Sequence, residues 1–88
     1  MNADPGFERA VVAHIREVVP GRFKKAVITP DMRLQRDLGL DSLGIASLLF
    51  RLEGEFGLDL MGDPDMPAKM RGLRSVSDLV AFAGSLRR

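Results

Sequence analysis

Apolar residues recur at helical spacing in the first part of the chain. Four of them follow at intervals of four, four and three positions: Phe7, Val11, Ile15 and Val18. This spacing places them on one face of a predicted helix. Asp4 and Pro5 supply the start signal, with Asp4 as the cap and Pro5 at the first helical position, and Pro20-Gly21 ends the helix.

A second amphipathic stretch predicts a helix from about Ser42 to Phe56, ended by Gly57 in a left-handed conformation. Its buried stripe is predicted to contain Ile45, Leu48, Leu49, Leu52 and Phe56. Residues 21–41 form a loop before this helix, and loops of that length are uncommon in compact domains unless they are functional. Five apolar residues are expected to hold the loop against the core: Val27, Ile28, Leu34, Leu38 and Leu40.

Two shorter elements complete the predicted fold. A turn at 63–67 leads into a short helix that Pro67 opens and Gly72 closes. The last helix begins after Ser75, which is its predicted cap, and Asp78 favours its first turn. Its inner face is predicted to contain Val76, Leu79, Phe82, Ala83 and Leu86. The pattern therefore predicts an all-α fold: a small four-helix bundle with three main helices and one short helix, in a single domain over 1–88 with its core at about 4–86.

The composition is that of a globular protein with no thiol of its own. Hydrophobic residues make up 45% and charged residues 28% of the 88 positions, and there is no cysteine. A disulfide framework, a thiolate metal site and a cysteine nucleophile are therefore excluded. No apolar run approaches the ~20 residues that a membrane span needs, and the first residues lack the pattern of a signal peptide. The expected location is the cytoplasm.

The net charge of +1 conceals a strong asymmetry along the chain. Residues 37–65 contain seven acids against the single base Arg51, whereas 22–36 and 69–88 each contain five bases against one acid. An acidic segment between two basic ones suggests that the middle of the chain meets basic surfaces of partner proteins. Charge alone is equally compatible with an ordinary solvated surface.

The segment 37–43, Asp-Leu-Gly-Leu-Asp-Ser-Leu, places one serine where the long loop meets the second predicted helix. Asp41 is a good N-cap, because its carboxylate can accept a hydrogen bond from a free amide of the first turn. Ser42 then lies beside the positive end of the helix dipole, where an added phosphate is favoured. Ser42 is therefore placed where its hydroxyl could carry a phosphate, although a serine in this place can also be an unmodified first-turn residue.

Three segments together resemble acyl carrier proteins: 28–31, 34–43 and 52–57, which read Ile-Thr-Pro-Asp, Leu-Gln-Arg-Asp-Leu-Gly-Leu-Asp-Ser-Leu and Leu-Glu-Gly-Glu-Phe-Gly. The resemblance implies an acyl-carrier-type bundle in which a phosphopantetheinyl transferase moves a 4'-phosphopantetheine arm from coenzyme A onto Ser42. Acyl intermediates of a fatty acid or polyketide-like kind are then carried as thioesters and presented to loading, elongating or transferring enzymes. The protein itself is expected to be a monomer and not an enzyme.

The resemblance also implies roles for residues around the serine. Asp41 helps to present Ser42, and Leu43 is a partly exposed apolar contact for partner enzymes. Without the resemblance, Leu43 would be interpreted as a core residue. Asp37 either orders its own turn or contributes to an acidic rim that partners recognise. Further candidate partner contacts are Glu53, Glu55 and Asp59.

The chain departs in two places from the pattern of carriers in fatty acid synthesis. Many of those relatives have an acidic residue directly after Asp-Ser-Leu and a Val-Glu-Leu a few positions later, where this chain has Gly44 and Ala46-Ser47-Leu48. Two negative charges of the usual docking helix are therefore missing. Whether the cargo belongs to the general fatty-acid pathway or is a specialised acyl, polyketide or amino-acyl group stays open.

Three other functions are compatible with parts of the sequence. A nucleic-acid-binding domain would use the basic clusters, but the acidic segment around the best-formed helix would repel phosphate, so no nucleic-acid partner is expected. An enzyme would need a partnered constellation, whereas the one histidine, His14, has no serine or cysteine partner and is expected at the edge of an apolar helix face. The third alternative is an unmodified carrier-type fold that acts as an interaction subunit.

Overall fold

The computed structural model describes residues 5–60 and 64–87, and within them the four predicted helices follow one another in order. The helix bounds are α1 Pro5–Val18, α2 Ser42–Phe56, α3 Met66–Arg71 and α4 Val76–Ser85, with a turn of 3-10 helix at Gly21–Phe23. The described residues contain no β-strand, only an isolated bridge between Arg33 and Ser75. None of these helices is both long and apolar enough to cross a membrane. The predicted all-α fold class is confirmed.

The helices pack their apolar faces into one core. α1 packs against α2 and α4, and α3 packs against α2. The α1 face extends one residue further than the spacing predicted, because Val19 is buried while Val18 is only partly buried. The predicted cap Asp4 and the first turn residue Asp63 lie outside the described residues. The buried apolar residues are Phe7, Val11, Ile15, Val19, Leu34, Leu38, Leu40, Ile45, Leu48, Leu49, Leu52, Leu58, Leu60, Met66, Val76, Leu79 and Ala83.

Three aromatic and aliphatic side chains predicted to lie inside are found at the edge of this core. Phe56, Phe82 and Leu86 are partly buried and pack against it. The ring of Phe56 meets that of Phe7 edge to face, with 4.9 Å between ring centroids. This contact joins the start of α1 to the end of α2, in a geometry that aromatic pairs prefer.

The long loop is held against the core by four of its five predicted apolar residues. Leu34, Leu38 and Leu40 are buried, and Ile28 is partly buried. The prediction for Val27 is wrong, because its side chain is 80% exposed. Residues 27–29 are irregular backbone along which consecutive side chains point in different directions, so Ile28 packs inward while Val27 faces solvent.

Backbone hydrogen bonds attach the long loop to the start of α4. The amide of Leu34 donates to the carbonyl of Arg74 at 2.8 Å, and the amide of Val76 donates to the carbonyl of Met32 at 2.9 Å. These bonds satisfy backbone groups that the irregular segments leave without regular partners. They also bring the loop that precedes α2 next to the segment that precedes α4.

A lysine closes the C-terminal end of α1. The Nζ of Lys24 donates to the carbonyls of Arg16 and Glu17, at 3.0 and 2.8 Å. The guanidinium of Arg16 in turn donates to the carbonyl of Ala26 at 3.0 Å. Carbonyls at a helix end lack intrahelical partners and attract cations. Lys24 is one of the five bases of 22–36, and its ammonium group is therefore hydrogen-bonded within the fold.

Ser75 caps α4 as predicted, and together with Asp78 it forms a capping box. The Oγ of Ser75 accepts a hydrogen bond from the amide of Asp78 at 3.0 Å. The Asp78 carboxylate accepts hydrogen bonds from the amides of Ser75 and Arg74, each at 3.2 Å. These two bonds, that of Ser75 first, hold the pKa of Asp78 below its ordinary value of 3.8. Because the folded pKa is the lower one, the stabilisation is present above that ordinary value and is lost as the pH falls through the folded pKa.

Replacing Asp78 with asparagine is expected to make the free energy of unfolding fall less steeply as the pH is lowered below about 4. The wild type loses free energy of unfolding when the Asp78 carboxylate is protonated, whereas the amide of asparagine has no proton to gain. Urea unfolding at a series of pH values from about 6 to 3 measures the difference. Glu17→Gln, a change at an exposed acid of α1, is the control. Parallel curves for the wild type and Asp78→Asn would contradict the role given to this carboxylate.

Candidate functional site

Ser42 is the first residue of α2, and it is exposed. Asp41 before it is the N-cap, as predicted: its backbone is extended, and its Oδ1 accepts a hydrogen bond from the amide of Gly44 at 2.8 Å. This bond satisfies one of the free amides of the first turn. The other free amides and the helix dipole still favour negative charge at this end of α2.

The glycine in the first turn of α2 lies close to this cap. A Cβ at Gly44 would lie 3.2 Å from the Cδ2 of Leu40 and 3.4 Å from the Oδ1 of Asp41. The end of the Leu40 side chain would have to shift by a few tenths of an ångström, whereas the contact with Asp41 would be an ordinary van der Waals one.

The outer face of α2 carries two exposed apolar side chains. Leu43 is 75% exposed, so it is not a core residue, and Phe50 is 61% exposed. Ser47 lies between them at spacings of four and three, which places the three residues on one face of the helix. Sequence reasoning did not single out Phe50. The signal was present, because Phe50 follows Leu43 by seven positions and is not needed for the buried stripe.

An open groove lies beside Ser42, between the long loop, α2 and α3. Its volume is about 790 Å³, within the range of small-ligand sites in proteins. The groove has an apolar part and a polar part. The apolar residues that line it are Leu40, Ile45, Pro67, Met70 and Leu73. The polar residues are Ser42, Gln35, Arg33, Arg36, Arg71 and Arg74.

The four arginines of the groove are the main feature that sequence reasoning missed. They were counted within two separate basic segments, and nothing placed them at the serine. Their spacing held a partial signal, because Arg33 and Arg36, like Arg71 and Arg74, are three residues apart. Their convergence depends on the backbone bonds between the loop and the start of α4, which a hydrophobic pattern does not reveal.

Asp37 orders its own turn. Its Oδ2 accepts a hydrogen bond from the amide of Arg33 at 2.8 Å, and its Oδ1 lies 3.6 Å from the Nε of Arg36. Of the two roles that the sequence left open for this carboxylate, the structure shows the local one. A contact with partner proteins remains a proposal.

The other three predicted partner contacts lie at or beyond the far end of α2. With a rise of about 1.5 Å per residue, Glu53 and Glu55 are roughly 16 and 20 Å along the helix axis from Ser42. Asp59 follows the helix, and its amide donates to the carbonyl of Leu86 at 3.1 Å. The structure therefore does not bring these acids together with the serine.

His14 lies at the edge of the apolar face of α1, as predicted. Its side chain is 19% exposed, and its Nε2 is 3.3 Å from the Oε1 of Glu55. Its Nδ1 is buried and has no partner in the described part of the chain. The ring also contacts Phe56 edge to face, with 6.4 Å between centroids. His14 thus joins α1 to the end of α2, and no cluster of three or more acids and histidines suited to a metal ion occurs among the described residues.

The surroundings of Ser42 fit a covalently attached arm that begins with a phosphate. The hydroxyl is exposed and stands at a helix N-terminus, where a phosphate is stabilised. The groove next to it provides cations for negative charge and apolar wall for a flexible chain.

A comparison with known protein families agrees with this chemistry. Residues 10–83 match the family model described as the phosphopantetheine attachment site. The matched segment includes Ser42, the whole of α2 and α3 and all the residues that line the groove. No solved structure matches the chain at a significant level.

Proposed function

Because the chain belongs to the phosphopantetheine attachment site family, we propose that it is an acyl carrier protein whose arm is attached to Ser42. One observation carries the choice of residue: Ser42 is an exposed serine at the first position of a capped helix, in the wall of a groove. The 4'-phosphopantetheine arm, derived from coenzyme A, supplies the thiol on which an acyl group is held as a thioester.

The residues around Ser42 act by position and not by catalysis. In the transfer, the Ser42 hydroxyl would lose its proton and form the new bond to phosphorus, while the pyrophosphate bond of coenzyme A breaks and adenosine 3',5'-bisphosphate leaves. Asp41 fixes the start of α2 through its hydrogen bond to Gly44, so that the serine is presented at a defined place. The free amides of the first turn face the negative charge of the phosphodiester. Bond making and bond breaking on the cargo take place in partner enzymes, so the protein is a carrier and not an enzyme.

The partners proposed are a phosphopantetheinyl transferase and the enzymes that load, elongate or transfer the acyl group. Leu43 and Phe50, both exposed on the outer face of α2, are the apolar contacts proposed for them. Exposed apolar side chains can be buried against a partner, and aromatic residues such as phenylalanine are enriched at protein interfaces. Further contacts with partners are proposed for Asp37, Glu53, Glu55 and Asp59.

The setting proposed is a biosynthetic pathway for fatty acid or polyketide-like chains in the cytoplasm. The protein acts there as a monomer with a single carrier domain over 1–88 and without a nucleic-acid partner. The first half of α2 has Gly44 and Ser47 at positions where many carriers of general fatty acid synthesis have acids, which favours a dedicated pathway with its own partners.

Counting thiols tests the proposal, because the chain has no cysteine. The protein prepared without the arm should have no thiol after reduction, and one thiol per chain after incubation with coenzyme A and a broad-specificity phosphopantetheinyl transferase. Transfer of an acyl group should remove that thiol, and hydroxylamine should restore it. A folded protein that gains no thiol, or one whose thiol cannot be acylated, would contradict carriage.

A further inference from the structure

We propose that the groove beside Ser42 binds a cargo that has a terminal carboxylate after a short apolar segment. This inference rests on the proposed function, because the cargo is taken to be tethered to Ser42. It names the class of acyl group that the chain recognises. The four arginines that line the groove, Arg33, Arg36, Arg71 and Arg74, would bind the negative charge of this cargo.

The four cations converge on one side of Ser42 because two segments are joined by their backbones. Arg33 forms an antiparallel bridge with Ser75, and the amide of Leu34 donates to the carbonyl of Arg74 at 2.8 Å. Arg36 follows on the loop, and Arg71 is the last residue of α3. Arginines from the two segments thus line the same groove as the serine.

Two of the four arginines of the groove have no acidic partner in the described part of the chain. No acid among the described residues lines the groove. The Nε of Arg36 lies 3.6 Å from the Oδ1 of Asp37. The positive charge of Arg33 helps to lower the pKa of Asp78. The guanidinium groups of Arg71 and Arg74, by contrast, have no ion pair or hydrogen bond within 5–60 and 64–87.

Like charges held together repel one another, and a ligand of opposite charge relieves that repulsion. Guanidinium groups bind carboxylates with two parallel hydrogen bonds, a geometry that a lysine amine does not offer. The groove therefore favours an anion that can meet Arg71 and Arg74.

The remaining wall of the groove selects for an apolar segment in the same ligand. Leu40, Ile45, Met70 and Leu73 line it, and the volume of about 790 Å³ exceeds what a carboxylate alone would fill. An acyl chain with methylene groups would cover these side chains, and its terminal carboxylate would reach the arginines. A simple fatty acyl chain would leave the arginines unpaired.

The phosphodiester of the arm is a different anion in the same neighbourhood. It is bonded to Ser42 and is present whatever cargo is carried, so a comparison of two cargoes removes its contribution. Hexanoyl and adipoyl groups suit this comparison because they have equal numbers of carbons and differ at the terminal position, where one has a methyl group and the other a carboxylate.

The test loads the full chain with hexanoyl- or adipoyl-phosphopantetheine from the corresponding coenzyme A thioesters, and intact mass confirms complete loading. The rate at which hydroxylamine cleaves each thioester on the protein is then measured. Protection is the rate for the same coenzyme A thioester divided by this rate. Adipoyl should be protected about fivefold more than hexanoyl, as expected for two exposed guanidinium–carboxylate contacts. Added salt should reduce the difference.

The double variant Arg71→Gln, Arg74→Gln should load normally and protect both cargoes equally. The control is Arg51→Gln, a change at an exposed arginine of α2 outside the groove, and it should behave as the wild type. Equal protection in the wild type, stronger protection of hexanoyl, or a difference that persists in the double variant would overturn the inference alone. Failure to load either cargo, visible in the mass before any cleavage, would overturn the proposed function and with it this inference.

Discussion

Replacing Ser42 with alanine is expected to abolish attachment of the arm and to leave the fold intact. The variant lacks the only atom that can form the proposed phosphodiester, so loss of attachment should be complete and not partial. The Ser42 side chain is exposed, and the cap of α2 is made by Asp41. The free energy of unfolding should therefore change by no more than about 0.5 kcal/mol. Intact mass after treatment with the transferase, together with urea unfolding, measures both effects.

Ser47→Ala is the matched control for this variant. Ser47 is an exposed serine of the same helix, on the face that also carries Leu43. This variant should accept the arm like the wild type. Attachment to Ser42→Ala, or loss of attachment in Ser47→Ala with Ser42 unmodified, would show that the wrong serine has been chosen.

Replacing Leu52 with alanine is expected to have the largest effect on stability. Leu52 is fully buried in the core, on the face of α2 that the other helices cover. Truncation removes apolar contacts and leaves a cavity, which costs about 3 kcal/mol in comparable sites. Domains of this size are stable by roughly 5–15 kcal/mol, so the loss is a large share of the total. Urea unfolding at neutral pH measures it.

Phe50→Ala is the control for the core variant. Phe50 lies two residues earlier on α2 but is 61% exposed, so its truncation should change the free energy of unfolding far less. Equal losses in the two variants would mean that α2 does not present Leu52 inward and Phe50 outward. The same Phe50→Ala protein can be used with partner enzymes, where the proposal expects a weaker interaction.

Most of the fold could be predicted because the apolar pattern and the helix signals agree. Periodicity placed Leu48 and Leu52 inside, and Asp41 and Gly57 mark the two ends of α2 as predicted, with Gly57 at a φ of 68°. These signals lie within a single helix and its two ends, so a single sequence is enough to detect them.

The predictions were weakest where the outcome depends on packing between distant segments. Val27 is as apolar as Ile28, and only the path of the loop over the core decides which of them is buried. For the same reason Arg71 and Arg74 could not be placed beside Ser42 from charge counts, since their position depends on backbone bonds between the loop and the start of α4. The sequence is enough to propose Ser42 as the attachment residue, whereas the charge that surrounds this serine became visible only in three dimensions.

The measurement that tests carriage on Ser42 most directly is the intact mass of the folded protein after incubation with coenzyme A and a broad-specificity transferase, followed by fragmentation. The expected result is a gain of one phosphopantetheine on the peptide that contains Ser42. No gain, or a gain at another residue such as Ser47, would contradict the assignment and favour an unmodified carrier-type fold that acts as an interaction subunit.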